Sequence, residues 1–149
     1  MNRCVFLDRD GVLNADELYY TYRPEDVVVL PGVAQALRLL QEQGYLLIVV
    51  TNQAGIAKGL YSGADVWAVH RTIEQATGVR FDDLFFSPHH PDHSTRSLRR
   101  KPDSLMLERA MAKHRIDPTT SWMIGDRESD VQAGLKAGGH RIGLATDTG

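Results

Sequence analysis

Three acidic side chains stand where short apolar runs of the sequence end. Asp8 and Asp10 follow the run Cys4–Leu7, and Asp126 closely follows Trp122–Ile124. Clustered carboxylates repel one another unless a cation lies between them, and Mg²⁺ prefers oxygen ligands together with substrate phosphates. Asp8 and Asp126 are suited to supply the carboxylates, and Asp10 to supply its backbone carbonyl while its side chain faces a substrate. The three acids therefore predict a magnesium site, if the fold brings them together.

Other polar residues near the ends of apolar runs are of kinds that bind phosphate. Thr51 and Asn52 follow the second run, and Lys101 comes just before the helix predicted after the third. A hydroxyl and an ammonium group can hold a phosphoryl group beside a nucleophilic carboxylate and a second carboxyl for acid–base work. Each of these residues alone is also typical of an ordinary turn or cap. Their shared placement favours phosphoryl transfer.

The elements that must position these residues alternate between strand and helix. Apolar runs predict five strands, at Cys4–Leu7, Tyr45–Val50, Leu84–Phe86, Trp122–Ile124 and Arg141–Leu144. Apolar spacing of three and four residues predicts four helices, at Val33–Gln43, Ser62–Thr77, from Asp103 or Ser104 to His114, and at Ser129–Ala137. The segments 8–30, 51–60 and 87–102 are predicted loops, with an extended piece at Val27–Leu30.

This order predicts an α/β fold: a doubly wound, Rossmann-like, mostly parallel sheet with helices on both faces. Ligands of such sheets bind at the carboxyl ends of the strands, which is where the polar residues fall. The loops after the first and second strands are too short for a cap domain of ordinary size, so we expect an open site covered only by loops.

Composition narrows the class of protein. With 149 residues and a net charge of −2, we expect a single domain over residues 1–149 that is a monomer and binds neither nucleic acid nor membrane. One cysteine excludes an internal disulfide and fits a reducing compartment. The apolar stretch near the start of the sequence is too short for a signal peptide, so we expect a cytoplasmic protein. We expect its partner to be a small phosphorylated metabolite.

The polar residues also match four ordered motifs and so resemble the haloacid-dehalogenase superfamily of phosphotransferases. Asp8–Asn14 resembles its first motif, Thr51 the second, Lys101 the third, and Gly125–Asp130 the fourth. The stretches Thr51–Ile56 and Arg100–Pro102 are similar to those of a branch that holds the histidinol-phosphate phosphatases and the D-glycero-D-manno-heptose 1,7-bisphosphate phosphatases. Gly55–Gly59 and Tyr20 are more like the heptose enzymes, whereas Gly125–Arg127 is more like the histidinol enzymes.

The resemblance implies a magnesium-dependent phosphomonoester hydrolase with an aspartyl-phosphate intermediate. It implies that Asp8 is the nucleophile and Asp10 the general acid and base. It further implies that the metal is held by Asp8, the Asp10 carbonyl and Asp126. We expect a heptose bisphosphate or a similar sugar phosphate as substrate, with histidinol phosphate as the alternative.

The resemblance assigns the remaining site residues as well. Thr51 and Lys101 would steady the phosphoryl group, and Asp130 would orient Lys101. Contacts with the rest of the substrate would come from Asn52, Gln53 and Arg100.

The chain departs from this branch in the segment that precedes Lys101. Its relatives usually carry a Cys-x-His pair and then a Cys-x-Cys pair that bind zinc there, whereas this chain has Ser87-Pro88-His89 and no cysteine in Arg96–Arg99. We therefore expect magnesium and no zinc. An unusual metal site built from His89, His90 and His93 is an alternative, but a solvated polar loop is the simpler interpretation.

A non-enzymatic alternative also fits part of the pattern. A phosphoacceptor receiver domain uses a doubly wound sheet, magnesium, acidic residues, a Thr and a Lys. Its accepting Asp follows the third strand, however, where this chain has Ser87 and Pro88. It also lacks an acid two residues after the nucleophile, so Asp10 discriminates between the two hypotheses.

Overall fold

One parallel sheet organises the part of the chain that the computed structural model describes, which is residues 1–18, 20–88, 105–125, 128–138 and 140–143. Within these residues the sheet has five strands, β1 (Cys4–Leu7), β2 (Leu46–Asn52), β3 (Asp83–Ser87), β4 (Trp122–Gly125) and β5 (His140–Gly143). They pair in the order β3-β2-β1-β4-β5, so β1 lies at the centre. The helices are α1 (Val33–Glu42), α2 (Gly63–Thr77), α3 (Leu105–His114) and α4 (Glu128–Lys136). The predicted doubly wound α/β fold is confirmed.

The central strands are buried on both faces because helices cover each face. Val5 and Leu7 of β1 pack into one apolar cluster with residues of α1 and α2, among them Leu37, Val66 and Ile73. Cys4 and Phe6 point the other way, into a second cluster with Met106 and Leu107 of α3 and Ala133 of α4. Such double burial explains why β1 and β2 read as continuous apolar runs without alternation. Burial also raises the pKa of the Cys4 thiol, which keeps it protonated and unreactive.

The sheet extends further along the chain than the sequence predicted. Thr51 and Asn52, expected in a loop, are the last residues of β2 and pair in register with Phe86 and Ser87 of β3. The correction has a simple cause: the backbone ladder to β3 continues for two residues beyond the apolar run. Both polar residues therefore sit on a strand, which holds them more firmly than a loop would.

The segment between β1 and α1 also has more structure than expected. A 3-10 helix at Pro24–Asp26, which the sequence analysis did not predict, begins with a proline whose fixed φ suits a first helical position. The predicted extended piece at Val27–Leu30 is confirmed, because Val29 forms an antiparallel bridge with Asn14. A second 3-10 helix, Pro118–Thr120, precedes β4. None of the described helices is long and apolar enough to span a membrane.

A buried histidine on α2 makes the stability of the fold depend on pH. His70 is 3% exposed, lies edge-on to the Trp67 ring and packs against Phe81, and its Nδ1 has no partner among the described residues. Burial lowers the pKa of His70, and the nearby carboxylate of Glu74 opposes this only in part.

The folded state thus binds the His70 proton less readily than the unfolded state does. We predict that the free energy of unfolding falls as the pH drops below 6.5, the ordinary pKa of histidine. Urea unfolding of wild type and His70→Leu at pH 7.5, 6.5 and 5.5 checks this, because the leucine variant should lose less stability over that range. Parallel pH profiles for the two proteins would contradict it.

Candidate active site

The turn after β1 begins at Asp8 and closes on the carbonyl of Arg9. Asp8 is 8% exposed, and its Oδ1 accepts a hydrogen bond of 2.8 Å from the backbone N–H of Arg9. The Arg9 carbonyl accepts from the N–H groups of Val12 and Leu13, at 3.2 and 2.8 Å. Gly11 lies inside this turn with φ of +86°, a conformation in which any side chain would be strained. The glycine of the first motif is therefore what lets the chain turn directly behind the two acids.

Four donors surround the carboxylate of Asp10. Its Oδ1 accepts from Arg9 Nε at 3.1 Å and from Asn14 Nδ2 at 3.0 Å. Its Oδ2 accepts from Arg9 Nη2 and from Gln53 Nε2, both at 3.2 Å. A carboxylate offers about four acceptor positions, so this set fixes the orientation of the group. The Asp10 side chain is 23% exposed, so it is only partly enclosed.

Arg9 is a buried cation that ties three segments together. Its side chain is 1% exposed, and besides Asp10 it donates to the Thr21 carbonyl at 2.7 Å and to Gln53 Oε1 at 3.4 Å. A buried charge is tolerated only when it is paired and hydrogen-bonded. Arg9 therefore holds the turn after β1, the segment around Thr21 and the end of β2 in one arrangement.

Thr51 and Asn52 lie at the carboxyl end of β2, next to Asp8 at the end of β1. Thr51 is 1% exposed, and its hydroxyl accepts a hydrogen bond of 3.0 Å from Gln53 Nε2. Asn52 is half-buried, and the N–H of Gln53 donates to the Ser87 carbonyl of β3 at 2.8 Å. The structure thus brings Asp8, Asp10, Thr51, Asn52 and Gln53 to one edge of the sheet.

The other predicted site residues cannot be placed in the same way. Lys101, Arg100 and Asp126 lie outside the described residues, as do His89, His90 and His93. Asp130 belongs to α4, which follows β4 in the chain, but its side chain lies outside the described residues. Within the described ranges, no three His, Cys, Asp or Glu side chains come together as a metal site. The predicted roles of these residues stay predictions.

Several buried polar atoms at this edge still have hydrogen-bonding capacity. Arg9 Nη1, Asn14 Oδ1 and Ser87 Oγ have no partner among the residues that the structure describes. Buried polar atoms are nearly always satisfied in native proteins, so unpaired ones call for an explanation. All three atoms lie near the carboxyl ends of the strands.

The sequence analysis missed three residues whose side chains hydrogen-bond to Asp10 or Gln53: Arg9, Asn14 and Tyr61. The Tyr61 hydroxyl donates to Gln53 Oε1 at 2.6 Å, and the ring is 9% exposed. Burial raises the pKa of Tyr61 to about 12, with the Asp10 carboxylate adding to the effect and Arg9 opposing it, so the hydroxyl keeps its proton at neutral pH. Arg9 and Asn14 lie within the first motif, Asp8–Asn14, so their position in the sequence beside Asp8 and Asp10 could have pointed to them. Nothing in the spacing pointed to Tyr61.

The chain is similar to known proteins in both sequence and fold. The HAD-hydrolase-like family model matches residues 98–149. The D-glycero-beta-D-manno-heptose-1,7-bisphosphate 7-phosphatase of Haemophilus ducreyi is 37% identical in an alignment 144 residues long that covers 91% of this chain and 79% of that protein. The D-glycero-alpha-D-manno-heptose-1,7-bisphosphate 7-phosphatase of Burkholderia mallei is 39% identical in an alignment 145 residues long that covers 92% of this chain and 76% of that protein.

The chain belongs to the HAD-like phosphatases. Its fold matches the D,D-heptose 1,7-bisphosphate phosphatase from B. bronchiseptica, solved with magnesium and phosphate, with a TM-score of 0.85 at 32% identity over 93% of this chain and 78% of that one. This HAD-like phosphatase is therefore an enzyme, which excludes the receiver-domain alternative. Enzymes of the family use Mg²⁺.

Proposed function

We propose that this HAD-like phosphatase hydrolyses a sugar phosphate, with D-glycero-D-manno-heptose 1,7-bisphosphate as the substrate and the 7-phosphate as the group removed. The observation that supports this best is the pair of acids at the end of the central strand: a buried carboxylate at Asp8, and two residues later a second carboxyl at Asp10 that four donors hold in place. The choice of sugar is supported by relatives named as heptose bisphosphate 7-phosphatases, one for the beta sugar and one for the alpha sugar.

The proposed reaction has two steps that use the two acids differently. An oxygen of the Asp8 carboxylate attacks phosphorus, the bond from phosphorus to the sugar oxygen breaks, and the proton of Asp10 passes to that oxygen. Asp10, now a carboxylate, then takes a proton from water as the water oxygen attacks phosphorus, which releases phosphate and restores Asp8. Thr51 and Lys101 would steady the phosphoryl oxygens, and Asp130 would orient Lys101.

The donors at this edge fit a magnesium ion. They are oxygens: the Asp8 carboxylate at the strand end, with the Asp10 carbonyl and Asp126 as the further ligands proposed. Four donors orient the side-chain oxygens of Asp10, which are proposed to serve the acid–base step, so the backbone carbonyl is the group of Asp10 proposed for the metal. When bound, Mg²⁺ would neutralise charge on the transferring phosphoryl group.

Zinc has no proposed role. The stretch 87–99, in which relatives of this branch usually carry zinc-binding cysteines, contains none, and the single cysteine of the chain, Cys4, is buried in β1. His89, His90 and His93 are therefore proposed to be ordinary polar residues of that stretch. We also propose that the substrate is small and polar, that only loops cover the site, and that the protein acts in the cytoplasm.

Substitution of the nucleophile tests the reaction. Asp8→Asn removes the only oxygen nucleophile proposed, so we predict that phosphate release falls at least about a thousandfold while the fold is kept. The assay uses heptose 1,7-bisphosphate, histidinol phosphate and p-nitrophenyl phosphate with Mg²⁺, and Asp26→Asn on the 3-10 helix Pro24–Asp26 is the matched control.

Wild type should prefer the heptose bisphosphate and release its 7-phosphate. Wild-type turnover by a pure Asp8→Asn protein would show that Asp8 is not the nucleophile. A preference for histidinol phosphate would contradict the proposed substrate but not the proposed reaction.

Metal dependence is tested separately. We predict that activity is lost on removal of Mg²⁺, returns when Mg²⁺ is added back, and survives a chelator that binds zinc strongly but spares magnesium. Elemental analysis of the purified protein should find less than one zinc per chain. One tightly bound zinc, lost together with activity on chelation, would contradict the proposal.

A further inference from the structure

All the hydrogen-bonding positions of the Gln53 side chain are used inside the protein. The residue is 3% exposed. Its Nε2 donates to Asp10 Oδ2 at 3.2 Å and to Thr51 Oγ1 at 3.0 Å, which accounts for both amide protons. Its Oε1 accepts from Tyr61 and from Arg9, at 2.6 and 3.4 Å, which accounts for both lone pairs. In this arrangement no polar position of Gln53 is left for a substrate.

The surrounding charges fix which way the amide faces. A flipped amide would turn Oε1 toward the Asp10 carboxylate and its NH₂ group toward the Arg9 guanidinium, so both contacts would become repulsive. Tyr61 adds a donor on the Oε1 side, and the short 2.6 Å bond makes it the closest partner of Gln53. The amide is therefore a rigid link from the Tyr61 hydroxyl to Asp10.

Tyr61 is in turn held by its packing. Its ring stacks on Tyr22 with centroids 5.2 Å apart and planes 3° from parallel. A Cβ built on Gly55 would overlap this ring, so the glycine is what allows the ring to approach the loop after β2. Gly55 does not have a positive φ, so its backbone alone would accept alanine. The position of the Tyr61 hydroxyl depends on this close approach.

We propose that Gln53 and Tyr61 are positioning residues for the acid–base step: Tyr61 holds the Gln53 amide, and the amide holds Asp10 where it exchanges a proton with the leaving oxygen of the substrate. The proposal rests on the function proposed above for Asp10. It differs from the substrate contact expected for Gln53 from sequence, and it gives a role to Tyr61, which the sequence did not single out. Neither residue needs to touch the substrate.

The effect should depend on the leaving group. A sugar oxygen leaves poorly and needs the proton of Asp10, whereas the phenolate of an aryl phosphate leaves readily and needs little help. A misplaced Asp10 should therefore slow phosphoenzyme formation from a sugar phosphate more than from an aryl phosphate. A residue that serves only the fold would slow both equally or weaken binding of both.

The experiment compares Tyr61→Phe with Tyr22→Phe. Both variants lose one hydroxyl from the same stacked pair, but the Tyr22 hydroxyl contacts Arg23 instead of Gln53. Rapid-quench measurement at saturating Mg²⁺ gives the rate of phosphoenzyme formation from the sugar phosphate that wild type turns over best and from p-nitrophenyl phosphate. Melting temperatures and KM are measured for each variant.

We expect Tyr61→Phe to slow the sugar phosphate about threefold to tenfold, the worth of one hydrogen bond, and the aryl phosphate less than about twofold, with KM unchanged. Tyr22→Phe should resemble wild type with both substrates. Equal losses of Tyr61→Phe on both substrates, or no loss, would overturn the positioning role even though wild type is active. A wild type that hydrolyses no phosphomonoester would instead overturn the proposed function, and the positioning role with it.

Gly55→Ala provides a second test that removes no hydroxyl. The added methyl should displace the Tyr61 ring and so reproduce the selective loss on the sugar phosphate. Combined with Tyr61→Phe it should add little further loss of that kind, because both changes break the same link. Fully additive selective losses in the double variant would contradict a shared path through Tyr61.

Discussion

The arrangement of the site depends on one buried cation. Arg9 is 1% exposed and stands between the two acids at the end of β1, so its charge must be neutralised inside the protein. It does this through two hydrogen bonds to Asp10 and further ones to the Thr21 carbonyl and Gln53. Removal of the Arg9 side chain would take away two of the four donors that hold the Asp10 carboxyl. The contacts of Arg9 therefore couple the orientation of Asp10 to the segments packed around it.

The sheet supplies the second constraint. In a parallel sheet the carboxyl ends of the strands meet at one edge, and here β1 lies between β2 and β4. Asp8 and Thr51 thereby come from neighbouring strands that the core holds rigidly. Asp10 is different, because it lies in the turn beyond the strand and needs Asn14, Gln53 and Arg9 to hold it. The proposed nucleophile is thus positioned by the sheet, and the proposed acid–base group by side chains.

Much of the fold could be predicted from the sequence because its signals are local. Continuous apolar runs marked the strands, three- and four-residue spacing marked the helices, and their alternation gave the doubly wound sheet. The 3-10 helix at Pro24–Asp26 was missed because three residues have no periodicity. The last two residues of β2, Thr51 and Asn52, were missed as strand residues because backbone pairing with β3, and not side-chain polarity, decides where a strand ends.

The site was harder to predict, for a physical reason. Acids after apolar runs pointed to Asp8 and Asp10, but an arginine is expected at the surface, so the burial of Arg9 could not be foreseen from its type. Gln53 looked like a substrate contact because nothing local reveals that Arg9, Asp10, Thr51 and Tyr61 satisfy its amide. Such networks join residues that are far apart in the chain, and they become visible only in three dimensions.

The central claim is that Asp8 accepts the phosphoryl group and Asp10 does not. The most direct test traps the intermediate in Asp10→Asn with p-nitrophenyl phosphate, whose phenolate leaves with little help from Asp10, while attack by water should be slow and the phosphoenzyme should accumulate. After acid quench, borohydride reduces an aspartyl phosphate to homoserine, which tandem mass spectrometry locates in the chain. The account predicts homoserine at position 8, dependent on substrate and Mg²⁺. Homoserine at any other position, or none despite substrate turnover, would contradict it.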